Sequence, residues 1–461
     1  MFQQIKRIHF VGIGGIGMSG IAEVLVNMGY DVSGSDLKMT PVTKRLRRLG
    51  VTIWEGHDPV NISSADVVVH STAVREGNPE LIAAREAKIP IIPRAEMLAE
   101  LMRMKNGIAV AGTHGKTTTT SLIGKILTDA GWDPTLIIGG RVKSLKTNAR
   151  LGSGDTLVCE ADESDRTFLK LSPTHIVLTS LEEEHLDCYR DIQEIRSVFV
   201  EFANRLPFYG TCFLSLDDSN LRGIQRRISR RIIAYGVHPD AEGRAQKIKL
   251  KGFTSQFEMI WKGNVLGEIR LRLAGEHNIS NALAAISTTL ELGVSFQVIQ
   301  KAISGFTGIE RRFEKKGEAK GVLVIDDYGH HPTEVEVTLK AARSGWKGRI
   351  IAVFQPHLYS RTRFFADRFG KSFQDADRLI VTDVYPSRED PVEGITGEII
   401  AQKAKKAGHP DVLYISNKEE ISESLAGMVK SGDLVITIGA GDVNKVGEQL
   451  LKILKKNSSS H

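Results

Sequence analysis

The stretch on which the fold turns is Gly112-Thr113-His114-Gly115-Lys116-Thr117-Thr118, because it stands between the apolar run Ile108–Ala111 and a segment of helical period. A strand that feeds a glycine-rich turn and then a helix aims the first helical N–H groups into the turn, an arrangement that suits phosphate. Lys116 is placed to neutralise β- and γ-phosphate oxygens, and the Thr117 hydroxyl to hold a magnesium ion. Such loops usually begin with a glycine where this chain has Val110. Even so, Gly-Lys-Thr-Thr at a strand-to-helix turn has few structural reasons to exist. Nucleotide phosphate binding is therefore assigned to Gly112, Thr113, His114, Gly115, Lys116, Thr117 and Thr118.

Outward from this loop, short apolar runs alternate with helical stretches in three successive blocks, the pattern of strand–helix units on mostly parallel sheets. The fold class is α/β. The first block has strands at Ile8–Val11, Asp31–Ser33 and Val67–Val69, a helix at Met18–Asn27, and a polar, Arg-rich segment Arg94–Asn106 that closes it. The second opens at Ile108 and ends past Phe306–Arg312, before the charged stretch Glu314–Lys320. The third has strands at Val322–Ile325, Ile350–Phe354, Arg378–Thr382, Val412–Ile415 and Leu434–Ile438. These blocks predict domains at 1–106, 107–317 and 318–461, in line with a length of 461 residues at about 150 per domain.

Composition narrows the class further. Hydrophobic residues make up 41% and charged residues 25%, values of a folded globular chain rather than a disordered or fibrous one. The net charge of +6 is spread along the chain with no basic arm, which fits phosphorylated ligands and argues against a nucleic-acid stripe. Cys159, Cys188 and Cys212 form no Cys-x-x-Cys pair, so neither a disulfide framework nor a zinc site is expected. With no signal-peptide pattern and no membrane-length apolar run, the expected setting is the cytoplasm, without membrane or nucleic-acid partners.

Two further constellations carry chemistry. Gly12-Ile13-Gly14-Gly15-Ile16-Gly17 follows the first strand and precedes a helix, with Ser35 and Asp36 ending the next strand. Glycines there let backbone approach a pyrophosphate, and an acid about 20 residues on can bind a ribose hydroxyl. A plain tight turn and a nicotinamide site are the other readings of the same residues. Downstream of the lysine loop, Cys159-Glu160-Ala161-Asp162-Glu163-Ser164-Asp165 and Glu182-Glu183-Glu184-His185-Leu186-Asp187 each follow an apolar run. Glu160 and His185 are candidates for binding magnesium that bridges ATP to a second substrate, whereas Glu182–Glu184 also reads as a solvated acidic loop. Two phosphate-binding turns in one chain imply two phosphorylated ligands. His9, His57, His175, His238 and His409 show no chemical context and read as structural or surface residues.

At this point the sequence resembles a known family, the Mur ligases. The resemblance rests on the lysine loop, on Gly12-Ile13-Gly14-Gly15-Ile16-Gly17-Met18-Ser19-Gly20, Pro93-Arg94-Ala95-Glu96-Met97-Leu98, Gly275-Glu276-His277-Asn278-Ile279-Ser280-Asn281-Ala282, Arg311-Arg312-Phe313, Asp326-Asp327-Tyr328-Gly329-His330-His331-Pro332 and Phe354-Gln355-Pro356-His357, in family order. It implies a three-domain architecture: a Rossmann-like N-terminal domain for a UDP-sugar, a central P-loop ATPase-like domain for ATP, and a Rossmann-like C-terminal domain for the amino acid. It also implies ATP- and Mg2+-dependent joining of L-alanine to the lactyl carboxylate of UDP-N-acetylmuramate through an acyl phosphate, in peptidoglycan precursor synthesis.

The resemblance assigns residues as well. It places Gly12, Gly14, Gly15, Gly17, Ser35, Asp36 and Ser71 at the UDP-sugar. Lys116 becomes the phosphate lysine, Thr117 the first magnesium ligand, and Glu160 and His185 the second pair. His277 and Asn278 match the adenine side, Arg312 a nucleotide-phosphate contact and Asp327 the ribose side. Tyr328, His330, His357 and Arg361 fall at the amino-acid site, where His330 reads equally as a base for the amine and as a positioning or packing residue. The sequence departs from many relatives at Thr72, at Ser180, where they carry Asn, and at Leu358, where they carry Arg. Competing readings are a recycling ligase that attaches a preformed peptide, a folate-type polyglutamate ligase lacking the N-terminal glycine loop, a nicotinamide-binding oxidoreductase or regulator, and a non-catalytic ATP-binding protein.

Overall fold

A computed structural model describes residues 5–71, 73–142, 147–184, 188–387 and 389–456. The chain divides into two compact units, one of residues 1–247, 257–269 and 280–306, the other of residues 248–256, 270–279 and 307–461.

In the first unit the N-terminal sheet has five parallel strands in the order Thr52–Glu55, Asp31–Asp36, Arg7–Val11, Val67–His70, Ile91–Pro93. Ile8, Phe10 and Val11 are fully buried, as expected for a central parallel strand covered on both faces. The strand order reverses beside Arg7–Val11, and at such a switch point the loops diverge and leave a crevice at the strand ends. Gly12-Ile13-Gly14-Gly15 occupies that end and leads into the helix Ile16–Asn27. Arg94–Asn106, expected as a polar closing segment, contains the helix Arg94–Arg103. Its buried Met97, Leu98, Leu101 and Met102 form one apolar stripe that the interleaved charges obscure in the sequence.

Within the central sheet, Asn106–Ala111 lies between the parallel strands His175–Leu178 and Thr156–Glu160. Val110 pairs with Glu160 and Ala111 with Leu178, so the lysine loop, the Glu160 segment and the segment after Leu178 leave the sheet at the same strand ends.

The second unit holds a six-stranded sheet in the order Glu314–Ala319, Val322–Asp327, Leu434–Ile438, Ile350–Phe354, Arg378–Val381, Val412–Tyr414. All neighbours are parallel except the first pair. Glu314–Ala319, read from sequence as a charged connection, is thus an antiparallel edge strand. Charged side chains and the register shift between Lys315 and Gly317 are devices that keep an edge from recruiting another strand. Among the described residues no helix is long and apolar enough to cross a membrane. Cys159 and Cys212 are buried free thiols, and burial pushes the Cys212 thiol up to about 12.

His9 and His57, for which the sequence offered no context, meet around one buried carboxylate. Glu80 Oε2 accepts from Ser35 Oγ at 2.5 Å and lies 3.2 Å from His57 Nδ1, while Glu80 Oε1 accepts from Asn61 Nδ2 at 2.7 Å. His9, also fully buried, places Nε2 3.7 Å from Glu80 Oε1. Burial alone would raise the Glu80 carboxyl, but His9, Ser35 and Asn61 outweigh it and hold it at about 2. A depressed acid stabilises the fold above its unfolded value of 4.5, and that contribution is lost as pH falls toward about 2. On this basis Glu80→Gln lowers stability at pH 7 by on the order of 3 kcal/mol. Urea unfolding at several pH values checks it: the gap to the parent closes below pH 4.5, and a gap constant down to pH 3 contradicts the assignment.

Candidate functional site

The lysine loop is shaped by its neighbours in the first unit. Gly112 sits at φ 139°, and a Cβ there would lie 2.8 Å from both the N and O of Ser180, so only glycine fits. Gly115 takes φ 82°, and a Cβ would press on the Asn281 amide, 3.2 Å from its Cγ. Ser180 clasps the turn: its Oγ accepts from the His114 amide at 2.8 Å and its carbonyl from the Thr113 amide at 3.1 Å. The Ser180 hydroxyl thus holds loop backbone. Thr179 Oγ1 donates to the His114 carbonyl at 2.5 Å, and Thr113 Oγ1 accepts from the Glu182 amide at 2.9 Å. The helix Lys116–Asp129 begins at Gly115 with no side-chain cap, so its first amides are not claimed by a capping residue.

Glu160, which ends the strand Thr156–Glu160, and Asp162 and Glu163, which follow it, have three different partners. Glu160 Oε1 accepts from the Gly139 amide at 2.5 Å. Asp162 Oδ2 lies 3.1 Å from Arg94, and although burial acts the other way, Lys116 and Arg94 hold its carboxyl at about 2. Glu163 places both oxygens 2.9 Å from Lys116 Nζ, which also donates to the Gly112 carbonyl at 2.5 Å. Burial works against the ammonium charge, but Glu163 and then Asp162 raise Lys116 to about 12. Lys116 is therefore charged at any physiological pH. Thr117 and Glu160 offer hydroxyl and carboxylate oxygens, the hard donors that magnesium takes. His185, expected with them, lies outside the described residues.

At the N-terminal switch point, Gly12, Gly14, Gly15, Gly17, Ser35, Asp36 and Ser71 gather at the ends of adjacent strands. Asp36 Oδ2 accepts from the Gly14 amide at 2.7 Å, and the Ser35 carbonyl takes the Gly12 and Ile13 amides, so the second strand holds the glycine turn in place. Ser35 is buried with its hydroxyl committed to Glu80 and His57, whereas Ser71 Oγ accepts from the Ala73 amide at 3.1 Å. Arg94, quoted in the sequence only as a motif residue, reaches this turn as well. A Cβ at Gly17 would come within 3.1 Å of its Cζ.

The second unit collects the remaining residues. Asp327 is buried and accepts from the Phe313 amide at 2.7 Å and the Gly329 amide at 2.8 Å; burial raises its carboxyl, against Arg312. Arg312 and Arg311 both lie over the Tyr328 ring, 5.4 and 5.1 Å from its centroid. The His330 ring packs edge-on to Tyr328 at 5.5 Å and lies 5.9 Å from His357, which stacks on Tyr385. Arg361 approaches His357 Nδ1 at 3.3 Å. Tyr328, His330, His357 and Arg361 are thus brought together. Leu358 is buried at φ 70°, its amide bonded to the Tyr385 carbonyl, so it contributes no charge there. His277 and Asn278 pair through Nε2 and Nδ2 at 3.0 Å at the start of Glu276–Glu291.

Arg311, the neighbour of the predicted Arg312, acts as a clamp. Its guanidinium donates to Asp326 at 3.0 Å and to the carbonyls of Gly439 and Gly441 at 2.6 and 2.8 Å. Such a fork of donors suits one carboxylate and several carbonyls at once, which a lysine could not serve.

Nucleotide-type phosphate loop, acidic partners and three sheets define a class, and comparison with known proteins agrees. Residues 7–106 match the catalytic domain of the Mur ligase family, 110–289 the Mur ligase middle domain and 311–441 the Mur ligase glutamate ligase domain. The chain belongs to the Mur ligase family. It is 53% identical, over 99% of both chains, to a UDP-N-acetylmuramate–L-alanine ligase of Geotalea uraniireducens, and 53% identical to the protein so named in Geobacter sp. (strain M21), covering all of both. Among solved structures it is similar to the UDP-N-acetylmuramate-alanine ligase of Thermotoga maritima, with a TM-score of 0.84 and 29% identity over 98% of this chain and all of that one. A murein peptide ligase of Psychrobacter arcticus follows at a TM-score of 0.73 and 26% identity, over 97% and 98%.

Two outcomes follow from this geometry. Gly112→Ala, forced against Ser180 at a left-handed φ, costs about 1–3 kcal/mol, read as a lowered denaturation midpoint. Arg311→Ala strands the buried Asp326 carboxylate and costs about 3–5 kcal/mol, measured by urea unfolding, while Arg311→Lys recovers only part of the loss.

Proposed function

We propose that the chain is an ATP-dependent carbon–nitrogen ligase that joins L-alanine to the lactyl carboxylate of UDP-N-acetylmuramate, yielding ADP and phosphate, in cytoplasmic peptidoglycan precursor synthesis. The observation that carries the reading is the lysine loop, with a charged, half-buried Lys116 and with Glu160 at the end of the adjacent strand. The whole-length likeness to ligases so named supports the choice of substrates. In this reading residues 1–106 bind the UDP-sugar, 107–317 ATP and 318–461 the amino acid.

An amide cannot form from a carboxylate in water without activation, and transfer of the γ-phosphoryl group supplies it. The carboxylate oxygen attacks the γ-phosphorus, the bond to ADP breaks, and an acyl phosphate results. Lys116 offsets the charge on the transferring group, a task of positioning and electrostatics. Magnesium, held by Thr117 and Glu160, would neutralise phosphate charge when bound. His277, Asn278, Arg312 and Asp327 are assigned to the nucleotide, and the glycine turn with Ser35, Asp36 and Ser71 to the UDP-sugar. The neutral amine of L-alanine, oriented by Tyr328, His330, His357 and Arg361, then attacks the acyl carbon, and phosphate leaves. His330 is assigned as the acceptor of the proton the amine loses.

Coupled assay of ADP release tests the reading. ADP forms only when UDP-N-acetylmuramate and L-alanine are both present, and Lys116→Ala lowers the rate at least a thousandfold. Activity with a preformed tripeptide but not with L-alanine would assign the chain to the recycling reaction instead.

A further inference from the structure

Lys116 has three N–H donors, and the protein already answers them. One goes to the Gly112 carbonyl at 2.5 Å and two face the Glu163 carboxylate, each oxygen at 2.9 Å, with the Thr113 carbonyl at 3.4 Å. Glu163 is almost wholly buried, at 3% exposure. A buried carboxylate keeps its charge only beside a partner, and Lys116 supplies it. Glu163 is itself fixed, since its carbonyl accepts from the Tyr189 hydroxyl at 2.5 Å and from the Arg166 amide at 3.2 Å. The neighbouring acids are committed elsewhere, Glu160 to the Gly139 amide and Asp162 to Arg94. Glu163 is therefore the member of the acidic set aimed at the phosphate lysine.

Resting on the ATP reading above, we propose that Glu163 is a positioning residue that sets Lys116 in the loop and competes with nucleotide phosphate for its ammonium. Two consequences oppose each other. The Glu163 charge repels a polyphosphate that approaches the same ammonium, so it weakens ground-state nucleotide binding. The bidentate hold fixes Lys116 over the loop carbonyls, so it supports the transition state, where the position of the ammonium matters most. Neutralising Glu163 while keeping its shape should separate the two.

The test compares the full-length parent with Glu163→Gln and Glu163→Asp. Isothermal titration with ADP and with a non-hydrolysable ATP analogue, both with Mg2+, gives nucleotide affinity, and steady-state assay gives kcat and KM for ATP. Glu163→Gln should bind both nucleotides at least threefold tighter, lower KM for ATP in parallel, and lose at least tenfold in kcat. Glu163→Asp keeps the charge at a shorter reach and should lie between the two in each quantity; if Glu163→Gln does not fold, tighter binding with reduced kcat in Glu163→Asp decides. Unchanged or weaker binding in a folded variant overturns the proposal, as does unchanged kcat, because a purely structural carboxylate would not tighten the nucleotide. A parent that binds neither nucleotide overturns the ATP reading itself, and a parent that binds while the variants bind no tighter overturns only the role of Glu163.

Discussion

A half-buried ammonium needs an anion, and the lysine loop of the first unit is organised around that constraint. Lys116 is the one cation the lysine loop presents, and its partial burial acts against the charge that the facing carboxylates sustain. The parallel sheet supplies them. Val110 pairs with Glu160 and Ala111 with Leu178, so the strands flanking the loop end beside it and deliver Glu160, Asp162 and Glu163 from one side and Thr179 and Ser180 from the other. Carboxylates that keep the lysine charged and hydroxyls that hold the turn follow from one register.

The same economy appears in the other sites. At the N-terminal switch point Asp36 and the Ser35 carbonyl hold the glycine turn, and Ser35 is fixed from below by the Glu80 network. In the second unit Arg311 ties the strand Val322–Asp327 to the turn after Leu434–Ile438, and Asp327 and Tyr328 are presented from the end of that strand. In each case the groups proposed to face a ligand sit on turns whose own polar atoms are spent on holding the turn rigid, which is how a site keeps its geometry.

Much of this was legible in the sequence. Glycine, lysine and threonine at a strand-to-helix turn have one common use, so the lysine loop could be read directly, and the apolar run Ile108–Ala111 located the strand that leads into it. Partners set by turn geometry could not be read. Asp162 and Glu163 are neighbours of similar chemistry, yet one faces Arg94 and the other Lys116, a choice made by the path of the chain after Glu160. His57 gains its role from Glu80, 23 residues on. Arg94–Arg103 and Glu314–Ala319 were hidden by their charges, because a helix with arginines among its core residues and a charged edge strand both mimic a loop in composition. Leu358 was visible as a departure, but only the structure shows its side chain buried and Arg361 beside His357.

The central claim is that the carboxylate of the sugar nucleotide is activated by phosphoryl transfer before the amine attacks. UDP-N-acetylmuramate labelled with 18O in its lactyl carboxylate, turned over with ATP and L-alanine, tests it through the mass of the released phosphate. The account predicts one 18O atom transferred to phosphate per amide formed, because the oxygen that attacks phosphorus leaves with it. Amide formation with unlabelled phosphate would contradict it.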